Sequence, residues 1–353
     1  MKKIFYIFII LFSCDDHFGV EEFEESFTYY DFLAYGWANV FDNNSELVNF
    51  SYKLEELKQI VADEHNASLD QILITNGASE ACFLLSATLL DENKTCMVEK
   101  PGYPPHMQLP LGFNSNIIYL ERNPSENFQI NLDTIKQNPI PDLAFLTNLH
   151  NPSGVLESLE KLKEMASLFS NENSIIVIDE IFRLFTESPT MAGTPGTAVV
   201  GSLSKCFGGG ASRIGWIVSD SDIIERCSNL KDWTNPEISL LGQSAGIALL
   251  KDQSSRLKLA RSRIEEHQHI IKEVCERHGF TWYDSHSVTG FPKIPLDNEE
   301  EFCKALLEEG ILVSPGRFFG YPGHIRVGWG INSSNYYSAI EAFDSALTKL
   351  LSD

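Results

Sequence analysis

The sequence has few positive charges, and this excludes one class of partner. It has 27 lysines and arginines against 49 aspartates and glutamates, a formal net charge of -22 over 353 residues. A protein that binds the phosphate backbone of a nucleic acid presents a basic face, so we expect no nucleic acid partner. The acidic residues are scattered along the chain and form no tail. Their charge therefore indicates a solvated surface and identifies no ligand.

The cysteine pattern that builds disulfide frameworks or zinc sites is also missing. The seven cysteines are an odd number, and no two of them form a Cys-x-x-Cys pair. This pattern argues against both kinds of site and fits a reducing compartment, so we expect a cytoplasmic protein without a bound metal. The cysteines are Cys14, Cys82, Cys96, Cys206, Cys227, Cys275 and Cys303.

Long apolar runs are lacking as well, and we expect no membrane span. The run near the start, residues 4–12, is too short to cross a bilayer. It follows Lys2 and Lys3 and precedes Ser13 and Cys14, an order that resembles a short secretory or lipoprotein signal. The alternative is a buried N-terminal segment or a misassigned start, and it agrees better with a reducing compartment.

The apolar residues that are present predict an α/β fold. The chain has no internal repeat, and its 43% hydrophobic content is enough for a large core. Between residues 70 and 220, short runs rich in Ile and Val alternate with longer amphipathic stretches. Seven runs are continuous, which predicts one mostly parallel seven-stranded sheet covered on both faces. They are residues 72–75, 96–99, 117–120, 143–147, 175–178, 198–200 and 216–218.

A smaller α+β domain is predicted after the sheet. From about residue 236 the pattern is helical, and short strands follow near Gly290 and Arg326 before a last helix that ends near Leu351. We therefore expect an N-terminal segment at residues 1–44, a large domain at 45–255 and a small domain at 256–353.

Polar residues follow several predicted strands, where ligands bind in open α/β sheets. The segment 75–81, Thr-Asn-Gly-Ala-Ser-Glu-Ala, turns from a strand into a helix, and the free N–H groups of Ala78 and Ser79 could hold a phosphate. The alternative is purely structural: Gly77 makes a tight turn and Ser79 caps the helix.

Three further strand ends carry candidate site residues. Tyr103 lies in a proline-rich loop and could stack on a flat heterocycle, and the turn 148–154 would project the amide of Asn151. Asp179 and Glu180 follow the run 175–178, where a buried carboxylate must be paired. Loop packing, a proline turn and a structural salt bridge are the respective alternatives.

The most specific segment is 201–216, Gly-Ser-Leu-Ser-Lys-Cys-Phe-Gly-Gly-Gly-Ala-Ser-Arg-Ile-Gly-Trp. It places Lys205 in a glycine-rich turn after a buried strand and puts Arg213 nearby. A lysine that is partly desolvated beside a cation has a lowered pKa, which favours the neutral amine that forms a Schiff base. We therefore interpret Lys205 as a Schiff-base lysine.

Together these residues resemble the class I/II aminotransferases, the aspartate aminotransferase superfamily of fold type I transferases that use pyridoxal 5′-phosphate (PLP). The resemblance covers about residues 45–350, and the length and layout look most like the histidinol-phosphate aminotransferase branch. It implies that Lys205 forms the Schiff base, Asp179 pairs with the pyridine nitrogen, Asn151 bonds the ring's 3-oxygen and Tyr103 stacks on the ring. Lys205, Asp179 and Tyr103 are thus the expected catalytic residues.

The resemblance also assigns the anionic groups. It implies that Arg326 grips the substrate α-carboxylate as a bidentate fork. The residues that match the phosphate cup of the family are Ala78, Ser79, Ser202, Ser204 and Arg213.

The implied reaction moves an amino group between an amino acid and a 2-oxo acid. The substrate amine displaces Lys205, and the freed lysine moves the α-proton as general base and acid. A homodimer is implied, because each active site in the family borrows residues from the partner subunit.

Two other functions compete with this one. A PLP-dependent lyase, decarboxylase or cyclase of the same fold would use the same cofactor residues, and product analysis separates it from a transaminase. A non-catalytic sensor that binds PLP would need an appended partner domain, and no such domain fits in the first 45 residues or so.

The sequence departs from the family pattern at two places. Phe182 stands three residues after Asp179, where most of the family has tyrosine, so we expect Asn151 alone to bond the 3-oxygen and the Schiff base to hold its proton to higher pH. The usual substrate-side motif is not recognisable before residue 45, and Phe50 or Tyr52 is the candidate for the tyrosine that reaches a neighbour's phosphate.

Two arginines are candidates for a second substrate contact. They are Arg183 and Arg317, and the alternative for each is a surface residue with a solvated guanidinium.

Overall fold

A computed structural model of the chain describes residues 6–7, 44–330 and 333–351, with the side chains of 53–330 and 335–351. The first elements are strand β1 (Tyr6–Ile7) and helix α1 (Asn44–His65). The signal-like segment 1–14, apart from β1, and most of the predicted N-terminal segment lie outside the described residues. So do the side chains of Phe50 and Tyr52.

The seven apolar runs form one sheet, as predicted. Its strand order is β2-β8-β7-β6-β5-β3-β4. Strand β8 is antiparallel to both of its neighbours, and every other pair in this sheet is parallel. The strands are β2 (Ile72–Thr75), β3 (Thr95–Lys100), β4 (Asn116–Glu121), β5 (Leu143–Thr147), β6 (Ile175–Asp179), β7 (Thr197–Ser202) and β8 (Gly215–Val218).

Helices cover both faces of the sheet, which explains why the strands read as continuous apolar runs. Ile176 and Ile178 of β6 belong to the core on one face, and Val177 between them belongs to the core on the other. The helices of this lobe that follow α1 are α2 (Ala78–Leu89), α3 (Pro104–Gly112), α4 (Leu132–Lys136), α5 (Leu159–Asn171), α6 (Ser221–Thr234) and α7 (Leu240–Lys251). Short 3-10 helices lie at Leu69–Gln71, Pro124–Glu126, Arg183–Phe185 and Gly210–Ser212.

The smaller lobe has the short strands and the last helix that the sequence predicts. Strands β11, β12 and β9 form an antiparallel sheet in that order, and β10 pairs in parallel with β1. The elements are α8 (Gln253–Arg277), β9 (Thr289–Gly290), α9 (Glu299–Glu308), β10 (Ile311–Leu312), β11 (Ser314–Pro315), a 3-10 helix at Gly316–Phe319, β12 (Ile325–Gly328) and α10 (Ser333–Leu351).

Helix α8 joins the two lobes. Leu257 and Ile264 in its first half pack into the core of the sheet, whereas Ile271 and Val274 in its second half belong to the core of the smaller lobe. The domain boundary that we place at residue 255 falls in the first turn of this helix and stays a prediction. Within the part of the chain that the structure describes, no helix has the length and apolarity of a membrane span.

Candidate active site

Four parallel strands bring most of the predicted site residues to one edge of the sheet. Strands β3, β5, β6 and β7 run in the same direction, so the residues after them meet beyond their carboxyl ends. Strand β2 also ends there, because two antiparallel pairings relate it to β7. We call the space beyond this edge of the sheet the cleft. The residues beside it are Tyr103, Asn151, Asp179, Lys205 and the start of α2.

Asp179 is a buried carboxyl at the end of β6 with 1% of its surface exposed. Burial raises the pKa of Asp179 to about 7. The hydrogen bond from the Ile181 N–H and the charge of Lys205 have the opposite effect and limit this rise. The structural salt bridge, which was the alternative interpretation for this pair of acidic residues, is present at Glu180. Its carboxylate pairs with Arg183 at 2.8 Å.

Two residues next to Asp179, His106 and Cys82, were not predicted as site residues. His106 Nε2 lies 3.6 Å from Asp179 Oδ2 and 3.4 Å from the Cys82 sulfur. Burial lowers the pKa of His106 to about 3, so its imidazole is neutral. The sequence could have suggested His106, because it stands three residues after Tyr103, in the first turn of α3. That spacing puts both side chains on one helix face.

Tyr103 lies at the N-terminus of α3 and is half-buried. Its ring packs edge-on against His106, with 5.1 Å between the ring centroids. Burial raises the pKa of Tyr103, so its hydroxyl stays protonated at neutral pH. The Tyr103 ring thus lies near the Asp179 carboxyl, with His106 in contact with both.

A concave group of backbone donors forms where α2 begins. The helix starts at Ala78 with Gly77 as its N-cap, so Ser79 is the second helical residue and not the cap. A Cβ on Gly77 would lie 2.3 Å from Arg213 Nη2, and one on Gly215 would lie 2.7 Å from the Ala78 nitrogen. The two glycines thus allow the guanidinium and strand β8 to approach the free N–H groups of the helix.

Ser202 is the last residue of β7, and Ser204 lies in the loop that follows the strand. Their oxygens are 2.8 Å apart, and the Ser204 N–H also donates to Ser202 Oγ at 3.0 Å. Lys205 comes next and is half-buried, with its Nζ 5.9 Å from the centre of the Phe182 ring. Phe182 itself is 4% exposed and stacks against Phe185.

The smaller lobe contributes Arg326 to the same cleft. Its Nη1 donates to Asn151 Oδ1 at 2.9 Å, and its guanidinium lies 4.8 Å from the centre of the Phe319 ring. Burial lowers the pKa of Arg326 to about 10, so it remains charged at neutral pH. Because the amide oxygen of Asn151 accepts from Arg326, its amide NH₂ group remains available to donate to another acceptor.

The two other candidate arginines have structural partners. Arg183 is 8% exposed, not a solvated surface residue, and pairs with Glu64 as well as Glu180. Arg317 pairs with Glu299 at 3.5 Å. The Arg317 guanidinium is exposed, which agrees with a surface residue, whereas Arg183 is buried with its partners.

Comparison with known proteins identifies the family. Residues 41–343 match the family model described as aminotransferase class I and II. The chain belongs to this family. Among its relatives, a histidinol-phosphate aminotransferase 2 of Carboxydothermus hydrogenoformans is 24% identical over 77% of this chain and 75% of the relative. An aspartate aminotransferase of Bacillus subtilis is 25% identical over 82% of this chain and 80% of the relative.

Solved structures of other aminotransferases share the fold. A PLP-dependent aminotransferase from Streptococcus suis superimposes with a TM-score of 0.79 at 22% identity and covers 88% of both chains. An aspartate aminotransferase double mutant of Thermus thermophilus gives a TM-score of 0.77 at 20% identity, over 82% of this chain and 81% of the other. The prediction of a fold type I architecture is confirmed.

Class I and II aminotransferases depend on PLP, and the residues in the cleft of this family member fit that cofactor. The pKa of the buried Asp179 carboxyl is raised to about 7, so a cationic ring nitrogen would complement its ionised form. The N-terminus of α2 and the Arg213 guanidinium supply donors that suit a phosphate dianion. The amine of Lys205 lies in the same cleft.

Proposed function

We propose that this protein is a PLP-dependent aminotransferase that moves an amino group between an α-amino acid and a 2-oxo acid. The observation that carries the proposal is the convergence of an amine, a buried carboxyl and a guanidinium in one cleft. These groups belong to Lys205, Asp179 and Arg326. The relatives named as aminotransferases support transamination over the lyase, decarboxylase and cyclase reactions of the same fold.

Each residue has a proposed role. When bound, PLP supplies an electron sink that stabilises negative charge at the substrate α-carbon. The Asp179 carboxylate would pair with the protonated ring nitrogen, and the Asn151 amide would donate to the ring's 3-oxygen. Lys205 Nζ would hold the cofactor, and its free amine would take the α-proton as general base. The Tyr103 ring would cover the face of the cofactor.

Two groups of donors hold the anionic ends of cofactor and substrate. For the phosphate we propose the N–H groups of Ala78 and Ser79, the hydroxyls of Ser202 and Ser204, and the Arg213 guanidinium. The Arg326 guanidinium binds the α-carboxylate, held in place by Asn151 on one side and Phe319 on the other. A carboxylate bound there would face a planar guanidinium held in one orientation, which favours two parallel hydrogen bonds.

We further propose that the protein is a cytoplasmic homodimer. The resemblance to the family supports the dimer, because its members complete each cleft with residues of the partner subunit. The cysteines support a reducing compartment: Cys82, Cys96, Cys206, Cys227, Cys275 and Cys303 are all free thiols.

The first experiment is an absorbance titration of the purified protein with PLP, followed by single amino acids. We expect a visible band from lysine-bound PLP, and an amino donor should convert it to the spectrum of the pyridoxamine form. The Lys205→Ala variant should lose both the band and its conversion, whereas Lys251→Ala, which removes a surface ion pair with Glu56, should keep both.

The products decide between the competing reactions. Stoichiometric conversion of an added 2-oxo acid into an amino acid supports transamination. Release of carbon dioxide or ammonia without that conversion would move the assignment to a lyase. A band that persists unchanged in Lys205→Ala would contradict the proposed role of this lysine.

A further inference from the structure

A group of buried charges lies under the loop that carries Asn151. Arg122 has 1% of its surface exposed and contacts two buried carboxylates, Glu99 and Glu157, which are 2% and 1% exposed. Its third nitrogen donates to the Phe128 carbonyl at 2.5 Å. Removing Arg122 would leave the buried Glu99 without its arginine counterion, so this cluster is expected to be rigid.

Glu99 connects the cluster to the end of strand β5. Its Oε2 accepts two hydrogen bonds from Thr147, one from the backbone N–H and one from the hydroxyl, both at 2.8 Å. Burial raises the pKa of Glu99, and Arg122 and the two Thr147 hydrogen bonds oppose that rise. The Thr147 hydroxyl therefore points its hydrogen at Glu99.

The same hydroxyl also receives a hydrogen bond from the cofactor loop. The backbone N–H of Asn151 donates to Thr147 Oγ1 at 2.9 Å. A hydroxyl has one hydrogen to donate and two lone pairs, so donation to Glu99 leaves a lone pair for Asn151. The direction of every hydrogen bond from Arg122 through Glu99 and Thr147 to Asn151 is therefore fixed.

We propose that Thr147 is a positioning residue whose hydroxyl, held by Glu99 and Arg122, sets the orientation of Asn151 in the cleft. This inference rests on the proposed function, in which Asn151 contacts the cofactor. The side chain of Asn151 would make two contacts, since its Oδ1 accepts from Arg326 and its NH₂ would donate to the ring's 3-oxygen in the proposed complex. A tilt of the loop would disturb both contacts together.

The test replaces Thr147 with valine, which has the same shape and lacks the hydroxyl. Displacement of a catalytic contact by about 1 Å costs up to about 100-fold in rate, so we expect kcat/KM of Thr147→Val to fall about 10-fold to 100-fold. Thr147→Ser restores the hydroxyl and should recover activity to within about threefold of the parent enzyme. The pH titration of the absorbance band should shift in the valine variant and return in the serine variant.

A matched control separates positioning from general destabilisation. Thr197 is a buried threonine in the same sheet, 5% exposed, whose hydroxyl donates to the Met191 and Thr194 carbonyls. Thr197→Val loses a comparable buried hydroxyl, so it should lower the thermal midpoint without shifting the spectral titration. Equal spectral shifts in both valine variants would overturn the proposal.

A double-mutant cycle with Asn151→Ala tests the direction of the effect. If Thr147 acts through Asn151, Thr147→Val should change kcat/KM by less than about twofold when Asn151 is already alanine. An undiminished effect in that background would refute the positioning role and leave the proposed function intact. If Asn151→Ala alone leaves both the spectrum and kcat/KM unchanged, the proposed contact of Asn151 with the cofactor fails, and the positioning role of Thr147 fails with it.

Discussion

Phe182 stands at the position where we expect, from the sequence, a departure from the family pattern. It lies beside Lys205, with the amine 5.9 Å from its ring centre, and it offers no hydrogen-bond donor to the cofactor oxygen. A tyrosine hydroxyl there would stabilise the negative charge on the 3-oxygen, and the proton held between that oxygen and the lysine nitrogen would leave at lower pH. Without it, the proton should be retained to higher pH.

We predict that Phe182→Tyr lowers the apparent pKa of the lysine-bound cofactor by about 1 unit, the effect of one hydrogen bond to a charged group. Spectrophotometric pH titration of the holoenzyme measures this pKa directly. Phe185→Tyr is the matched control, because Phe185 is a second buried phenylalanine that stacks on Phe182. An unchanged titration in Phe182→Tyr would contradict the prediction.

At the scale of elements, the proposed phosphate site depends on how closely strand β8 approaches helix α2. The first residue of β8 is Gly215, and a Cβ there would lie 2.4 Å from the Gly77 carbonyl carbon. Real side chains do not approach backbone atoms that closely, so any larger residue must push the strand and the helix N-terminus apart. The N–H groups of Ala78 and Ser79 would then no longer converge with Arg213.

Gly215→Ala should therefore weaken PLP binding about tenfold, which corresponds to a strain of about 1.4 kcal/mol at the cup. Equilibrium titration of the apoenzyme with PLP measures the loss. Gly112→Ala is a suitable control, since Gly112 ends helix α3 and a Cβ there meets nothing within 4 Å. If both variants bind PLP like the parent enzyme, the close packing of β8 against α2 is not needed for the phosphate.

At the scale of the whole molecule, several buried histidines are kept neutral. Burial lowers the pKa of His65 to about 3, of His324 to about 4 and of His150 well below its usual range. Below pH 6.5 the unfolded chain binds protons that these folded side chains do not, so each histidine contributes stability that is present above pH 6.5 and is lost as the pH falls. Asp179 acts in the opposite direction in the apoenzyme, because its pKa is raised.

His324 allows a clean test of this linkage. Its Nε2 has no hydrogen-bond partner among the described residues, and its ring stacks on Phe291 at 5.0 Å, so phenylalanine can replace it. Between pH 7 and pH 5, His324→Phe should lose about 2 kcal/mol less unfolding free energy than the parent protein. Urea unfolding at the two pH values measures the difference, and the exposed His269→Gln should leave it unchanged. An equal loss in all three proteins would show that His324 is not buried as a neutral group.

Local pattern was enough to predict the sheet. Each of the seven strands is a short continuous apolar run, and such runs form because helices cover both faces of the sheet. The strand ends then located the site, because parallel strands deliver the residues that follow them to one edge. Lys205 and Asp179 are placed by this rule alone.

Only the tertiary structure showed how side chains far apart in the sequence contact one another in the cleft. Arg326 reaches Asn151 across a separation of 175 residues, and His106 and Cys82 meet under Asp179 from two different helices. It also showed that Arg183 and Arg317 have carboxylate partners. The sequence determines which chemical groups follow each strand, but burial, hydrogen-bond direction and ion pairing depend on residues far apart in the chain, and only packing brings these together.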